Sequence, residues 1–204
     1  MFEVWGVTGV IGSGKSTAMR IISEMGYPGI DADQVSRIVV DKKTEEGKKG
    51  FEQIYRAFGS GVLNSLGELD RPALRRRMMQ NPDDHKALEA IMHPLIVDYI
   101  TRTMTKWKAA GTKLAFVEGT RLIESGFHNM LTGIIVVTAK EDQKIKRVMK
   151  RDSMGKDEVS MMVRMQDETL MKRIAKAEWK NEASEAAFKK IIQAFVETRM
   201  KQAG

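Results

Sequence analysis

At 204 residues the chain can bury the core of one ordinary domain, with room for inserted subdomains, and its 42% apolar and 30% charged content excludes a disordered chain. The lack of cysteine excludes disulfides, thiolate metal sites and a cysteine nucleophile, and three scattered histidines (His85, His93, His128) argue against zinc. The net charge of +7 points to anionic partners, either nucleic acid or small phosphorylated molecules.

Lys42-Lys43, Lys48-Lys49 and Arg75-Arg76-Arg77 are short clusters mixed with acids, so they read as solvated helix faces, and nucleic acid is not expected as a partner. No apolar run approaches the roughly 18 residues of a membrane span. The N-terminus runs straight into a strand without the pattern of a secretion signal. A soluble, cytoplasmic protein with no membrane partner is the expectation.

In chain order, Phe2 to Val7 alternates and is β-prone, and it runs directly into glycines. From Ser16 the pattern turns helical until Gly26-Tyr27-Pro28-Gly29, and a short strand around Ile30 delivers Asp31-Ala32-Asp33. Strand, glycine loop, helix and strand open a parallel α/β sheet. The stretch from Gln34 to Ala110 is almost entirely helical by pattern. Breaks are expected at Gly59-Ser60-Gly61, Leu66-Gly67-Glu68, Asn81-Pro82 and His93-Pro94, and Asp70 is the expected N-cap of a helix with Pro72 in its first turn. Ile96, Ile100, Met104 and Trp107 recur at helical spacing and read as core. Leu114–Glu118 and Gly133–Val137 are the next strands, the second suited to an interior parallel position. Beyond Asp142 the chain is helical and highly charged.

Gly9-Val10-Ile11-Gly12-Ser13-Gly14-Lys15-Ser16 satisfies G-x-x-x-x-G-K-S in full, between a strand and a helix. Glycines there let backbone N–H groups curl inward as an anion nest at a helix N-terminus. Lys15 is placed to reach the β and γ phosphates of a nucleotide and Ser16 to ligate Mg²⁺. Asp31 and Asp33 end the second strand, on the sheet edge where ligands collect. If that strand continues, they point the same way. Asp33 is either a base toward an acceptor hydroxyl or the N-cap of the next helix; the pattern leaves both open. Glu118 closes an apolar strand where an acid can support the metal shell. Gln143, Arg147 and Arg151 share a helix face, and phosphoryl transfer calls for such arginines; at least one of Arg147 and Arg151 is expected at the nucleotide.

These residues together resemble the dephospho-coenzyme A kinase family, from the first strand to about Arg173. The resemblance is carried by Val7 to Thr17, by Ile30-Asp31-Ala32-Asp33 with Arg37, by Leu69-Asp70-Arg71-Pro72-Ala73-Leu74 and Asn81-Pro82, and by Ile91-Met92-His93-Pro94-Leu95-Ile96. Gln143, Arg147, Arg151-Asp152 and Gln166 complete it. It implies transfer of the ATP γ-phosphoryl to the ribose 3′-hydroxyl of dephospho-coenzyme A, with ATP and dephospho-coenzyme A as partners and Mg²⁺ as cofactor. By position Asp33 is the general base, and Lys15, Arg147 and Arg151 complete the catalytic set. ATP falls to Gly9, Gly12, Ser13, Gly14, Lys15, Ser16, Thr17, Arg147 and Asn181. The acceptor falls to Thr8, Asp31, Asp33, Arg37, His93, Glu118 and Arg121. Ser16 holds Mg²⁺, with Asp33 or Glu118 reaching it through water.

The fold implied is α/β, a P-loop NTPase-type three-layer α/β/α arrangement on a parallel sheet. One kinase domain over 1–204 is expected, with its core at about 1–33, 111–152 and 173–204. An inserted helical acceptor-binding subdomain takes about 34–110, and a helical lid about 153–172. Three departures from the family pattern stand out. Val10 replaces a glycine, Thr120-Arg121-Leu122-Ile123-Glu124 replaces Pro-Leu-Leu-Phe-Glu, and Ala177–Asn181 is so short and charged that a fifth strand stays open. Arg121 keeps a (deoxy)nucleoside monophosphate kinase as the alternative. A P-loop binding or switch protein without a small-molecule acceptor is the alternative of another class, and the presence of Asp33 with the lid arginines argues against it.

Overall fold

The computed structural model describes residues 1–203; Gly204, the last residue of the expected core segment, lies outside the described residues. The chain forms two compact units, one of Met1–Asp31 with the chain from Met104 onward, the other of Ala32–Thr103.

The first unit is built on five parallel strands: β1 (Glu3–Thr8), β2 (Gly29–Asp31), β3 (Leu114–Glu118), β4 (Gly133–Thr138) and β5 (Ala177–Lys180), in spatial order β2-β3-β1-β4-β5. All of β1, β3 and β4 is buried, which explains why these strands read as near-continuous apolar runs and not as alternating ones. One face of the sheet presents Trp5, Val7, Leu114, Phe116, Ile135, Val137 and Trp179. It packs on α1 (Lys15–Glu24) through Ala18, Ile21 and Ile22, and on α9 (Glu185–Ala203) through Phe188, Ile192 and Val196. The opposite face belongs to the alternate residues, Val4, Ala115, Val117, Ile134 and Val136, all buried. Helices α6 (Glu141–Asp152), α7 (Lys156–Arg164) and α8 (Glu168–Ile174) complete this unit, which is the expected three-layer α/β/α arrangement.

The fifth strand left open by the sequence is present, paired with β4 from Ile135↔Ala177 to Thr138↔Lys180. Only Trp179 of its four residues is buried. The indole sits 6.3 Å from the Phe116 ring and 5.4 Å from that of Phe195, so one large side chain anchors the strand. Glu178 and Lys180 face outward from an edge strand, where charge discourages pairing with another chain. The same charges hide the strand in the sequence.

The second unit contains α2 (Ala32–Ile38), α3 (Glu45–Phe58), a 3-10 turn at Ser60–Val62, α4 (Arg71–Gln80) and α5 (Pro82–Ala109) up to Thr103. Val35, Val39, Val40, Ile54, Phe58, Val62 and Ile100 are its buried apolar residues. Asp70 caps α4 as the sequence predicts, its Oδ1 accepting from the Ala73 N–H at 2.9 Å. The boundary expected at His93-Pro94 does not exist. Helix α5 runs through it, with both residues exposed. Proline in a helix interior forfeits one hydrogen bond and crowds the preceding turn, a cost of about 3 kcal/mol. A helix of 28 residues retains enough other bonds to absorb that cost.

Candidate active site

Strand β1 ends at Thr8, and the loop Gly9–Gly14 follows at the carboxyl edge of the sheet. The chain leaves β1 toward β2 on one side and later crosses from β3 to β4 on the other, so the loop lies where strand order reverses. At that edge Glu118 stands in register with both Val7 and Asp31. Glu118 is buried, at 8% exposure.

The loop is held from behind by α6 and by the turn after β5. Arg147 donates from Nη1 to the Gly12 and Ser13 carbonyls, both at 3.2 Å, and from Nη2 to the Asn181 carbonyl at 2.9 Å. Asn181 Nδ2 donates to the same Ser13 carbonyl at 2.9 Å. The Ser13 N–H is bonded to the Val10 carbonyl and the Ile11 N–H to a side chain outside the loop, so an anion nest here draws on the loop N–H groups that remain. Two glycines are indispensable to this packing. A Cβ on Gly12 would collide with the Lys144 carbonyl, and one on Gly14 with the Asn181 amide; both residues have positive φ, +79° and +110°. Val10, in contrast, is absent from the positive-φ residues and is buried at 1% exposure, so valine fits where the family pattern has glycine. Lys15 Nζ donates to the Gly9 carbonyl at 2.7 Å, arched over the loop it serves. The hydroxyls of Thr8 and Ser13 are buried without a hydrogen-bond partner among the described residues.

Comparison with known proteins agrees with this geometry. The dephospho-CoA kinase family model matches residues 3–187, almost the whole chain. A dephospho-CoA kinase of Hydrogenovibrio crunogenus is 34% identical over 176 residues, 86% of each chain. Among solved structures, one from Thermus thermophilus superposes with a TM-score of 0.82 at 29% identity, covering 97% of both chains. The dephospho-CoA kinase of Campylobacter jejuni superposes with 0.73 at 26% identity over the full length of both.

The chain belongs to the dephospho-CoA kinase family.

For this dephospho-CoA kinase family member, the structure gathers Thr8, Gly9, Gly12, Ser13, Gly14, Lys15, Arg147 and Asn181 around one loop, with Ser16 and Thr17 in the first turn of α1. Asp31 and Glu118 share the sheet edge. Arg121 is exposed in the turn after β3.

One sequence expectation changes here, and one residue finds a partner of its own. The strand stops at Asp31 and α2 starts at Ala32, so Asp33 lies inside the first helical turn, neither on an extended strand beside Asp31 nor at an N-cap. The same-direction argument for the two aspartates therefore lapses. Arg151 shares a helix with Arg147 but pairs with its own neighbour, Nε and Nη2 donating to the two Asp152 oxygens at 2.7 and 2.6 Å. That pairing holds the Asp152 carboxyl below its ordinary value.

Three further residues join the site without a role having been legible in the sequence. Gln166, between α7 and α8, accepts the Ile11 N–H with Oε1 at 3.0 Å, tying the expected lid segment to the loop. Lys144, only 5% exposed, pairs with Glu168 of α8, a second tie across the same segment. The signal for Lys144 was its spacing: it falls four residues before buried Val148, on the inward face of α6. Nothing in a single sequence pairs it with Glu168.

Proposed function

We propose that Asp33 is the base that receives the acceptor's proton, with the P-loop and Lys15 gripping ATP and Arg147 holding the loop in shape for it. The activity itself, ATP-dependent phosphorylation of dephospho-CoA in coenzyme A biosynthesis, follows from family membership. The observation that supports these roles is the sheet edge, where Glu118 sits in register with both Asp31 and Val7, the next-to-last residue of β1. Asp33 follows Asp31 by two residues, in the first turn of α2.

In this reading the ribose 3′-oxygen of the acceptor attacks the γ-phosphorus. The bond from that phosphorus to the β,γ-bridging oxygen breaks, ADP leaves, and the hydroxyl proton passes to the Asp33 carboxylate. The loop's N–H groups and Lys15 take up negative charge on the phosphates. The unpartnered hydroxyl of Ser13 is a further donor facing no protein acceptor. Arg147 acts through the loop, its guanidinium holding the Gly12 and Ser13 carbonyls turned away from the ligand.

The donors present also suit magnesium, which favours hard oxygen ligands and binds largely through phosphates and water. Ser16 is exposed at the start of α1, Glu118 and Asp31 supply carboxylates at the edge, and no cluster of three metal-ligating side chains exists among the described residues to favour another ion. Ser16 would ligate the ion directly, and Glu118 or Asp33 through water. When bound, it would neutralise charge on the β and γ phosphates. No described helix is long and apolar enough to cross a membrane. The same reading takes this ATP-consuming biosynthetic step to be cytoplasmic.

Asp33→Asn tests the assignment. Turnover should fall by about 10²–10⁴-fold, the usual worth of a positioned base, while the KM for ATP stays within a few-fold. Retention of near-native turnover by this variant would remove Asp33 from the chemistry.

A further inference from the structure

One peptide of the phosphate loop is held by a side chain 155 positions away in sequence: the Ile11 N–H donates to Gln166 Oε1 at 3.0 Å. The rest of the loop is fixed by its immediate surroundings. Gly9 lies so close to β4 that a Cβ there would collide with the Val137 carbonyl, and Gly12 lies against the Lys144 carbonyl in the same way. The Ser13 N–H closes onto the Val10 carbonyl at 3.1 Å, and Arg147 and Asn181 hold the Ser13 carbonyl. Ile11 stands between the two glycines, where the only way to fix its peptide from outside the loop is the one observed, from the turn between α7 and α8.

That turn is built to aim Gln166. Its Nε2 donates to the Met162 carbonyl at 3.4 Å, so the amide presents its oxygen to the loop. The Glu168 N–H donates to the Gln166 carbonyl at 3.0 Å, and Asp167 caps α8 by accepting the Leu170 N–H at 2.8 Å. The Glu168 carboxylate then anchors the turn to α6 through Lys144, only 5% exposed. Removing one partner of so buried a pair leaves an uncompensated charge, so the pair is a fixed point of the fold. Lys144 thus acts twice: its ammonium holds the turn that carries Gln166, and its carbonyl abuts Gly12.

Lys15 Nζ donates to the Gly9 carbonyl at 2.7 Å, so the ammonium that reaches the β and γ phosphates rests on the first limb of the loop, the limb that Ile11 continues. We infer that Gln166 is a positioning residue for phosphoryl transfer, aimed by the Lys144–Glu168 pair: through the Ile11 N–H it sets the first limb of the loop, and with it the carbonyl on which the Lys15 ammonium rests. The inference rests on the reading of the loop and Lys15 as the grip on ATP and is independent of the role of Asp33. The N–H groups from Gly14 onward lie at the start of α1, beyond the pinned Ser13, and hold phosphate without help from Gln166. Misplacing the ammonium therefore harms the transfer step more than nucleotide binding.

Gln166→Met keeps the length of the side chain and removes the acceptor, whereas Gln166→Glu keeps an acceptor oxygen at the same reach. With dephospho-CoA as acceptor, Gln166→Met should lower kcat about five- to tenfold, the order of one lost hydrogen bond. The KM for ATP and the calorimetric Kd of Mg-ADP should stay within about twofold of wild type. Gln166→Glu should recover part of the lost turnover. Glu168→Gln should lower kcat by itself and add little on top of Gln166→Met, since both act at the Ile11 peptide. Turnover within about twofold of wild type in Gln166→Met, or ADP affinity falling as far as turnover, would overturn the inference. So would additive losses in the double variant, or a lower urea midpoint with kcat and KM unchanged. Lys15→Ala, assayed alongside, tests the grip itself. Unchanged turnover there would reject the reading of the loop, whereas a large loss there beside normal turnover in Gln166→Met would reject the positioning role alone.

Discussion

Arg147 spends its guanidinium on three backbone carbonyls, those of Gly12, Ser13 and Asn181. This explains why arginine stands there. A lysine carries the charge but lacks the planar fork that spans separate acceptors. Arg147→Lys should therefore loosen the loop, with a loss of about 1.5–3 kcal/mol for hydrogen bonds made by a charged donor. The expected signature is a raised KM for ATP with the KM for dephospho-CoA unchanged, read from initial rates together with a urea melt. Unchanged ATP affinity would show that the loop keeps its shape without the fork. The sequence placed Arg147 and Arg151 together, because spacing reports which residues share a helix face and not which of them reaches a partner. Arg151 is instead held by Asp152, a distinction set by side-chain reach.

At the scale of elements, the expected lid comprises α7 and α8 with the turn between them, and it is joined to the loop by two side-chain ties. Gln166 accepts from Ile11, and Glu168 pairs with buried Lys144. The segment opens at Ser153, a non-glycine residue with φ of +55°, a conformation that serine adopts at some cost. Two ties and a strained entry thus bound the segment at the loop and at α6. Gln166→Ala should raise hydrogen exchange across residues 153–172 while the exchange of β1 and β4 stays as it was. Equal exchange in variant and wild type would deny the tie any part in holding the segment. Legibility differed by element for physical reasons. Strands β1, β3 and β4 were plain because burial on both faces writes them as apolar runs. Strand β5 stayed open because a single tryptophan carries it, and α5 was divided wrongly because a local proline signal was weighed without the long helix around it. The P-loop was readable because its glycines answer to backbone geometry that any such loop requires. The Lys144–Glu168 pair was not, since its partners meet only in three dimensions.

For the whole molecule, the first unit carries the phosphate loop and the sheet edge, and Asp33 and a cavity lined by Arg37 and Arg71 lie in the second. Part of the positive charge that first suggested anionic partners lies in Lys15 at the loop and in Arg37 and Arg71 along the cavity. The alternative acceptor, a nucleoside monophosphate, was kept open by Arg121, which lies after β3 in the first unit. The deciding measurement is a coupled ADP-release assay of the wild-type protein with Mg-ATP, offering dephospho-CoA, AMP, dAMP, dGMP, dCMP and dTMP in turn. Dephospho-CoA should give the highest kcat/KM of the set. A nucleoside monophosphate that clearly outperforms it would contradict the assignment of the acceptor while leaving the kinase chemistry of the loop in place.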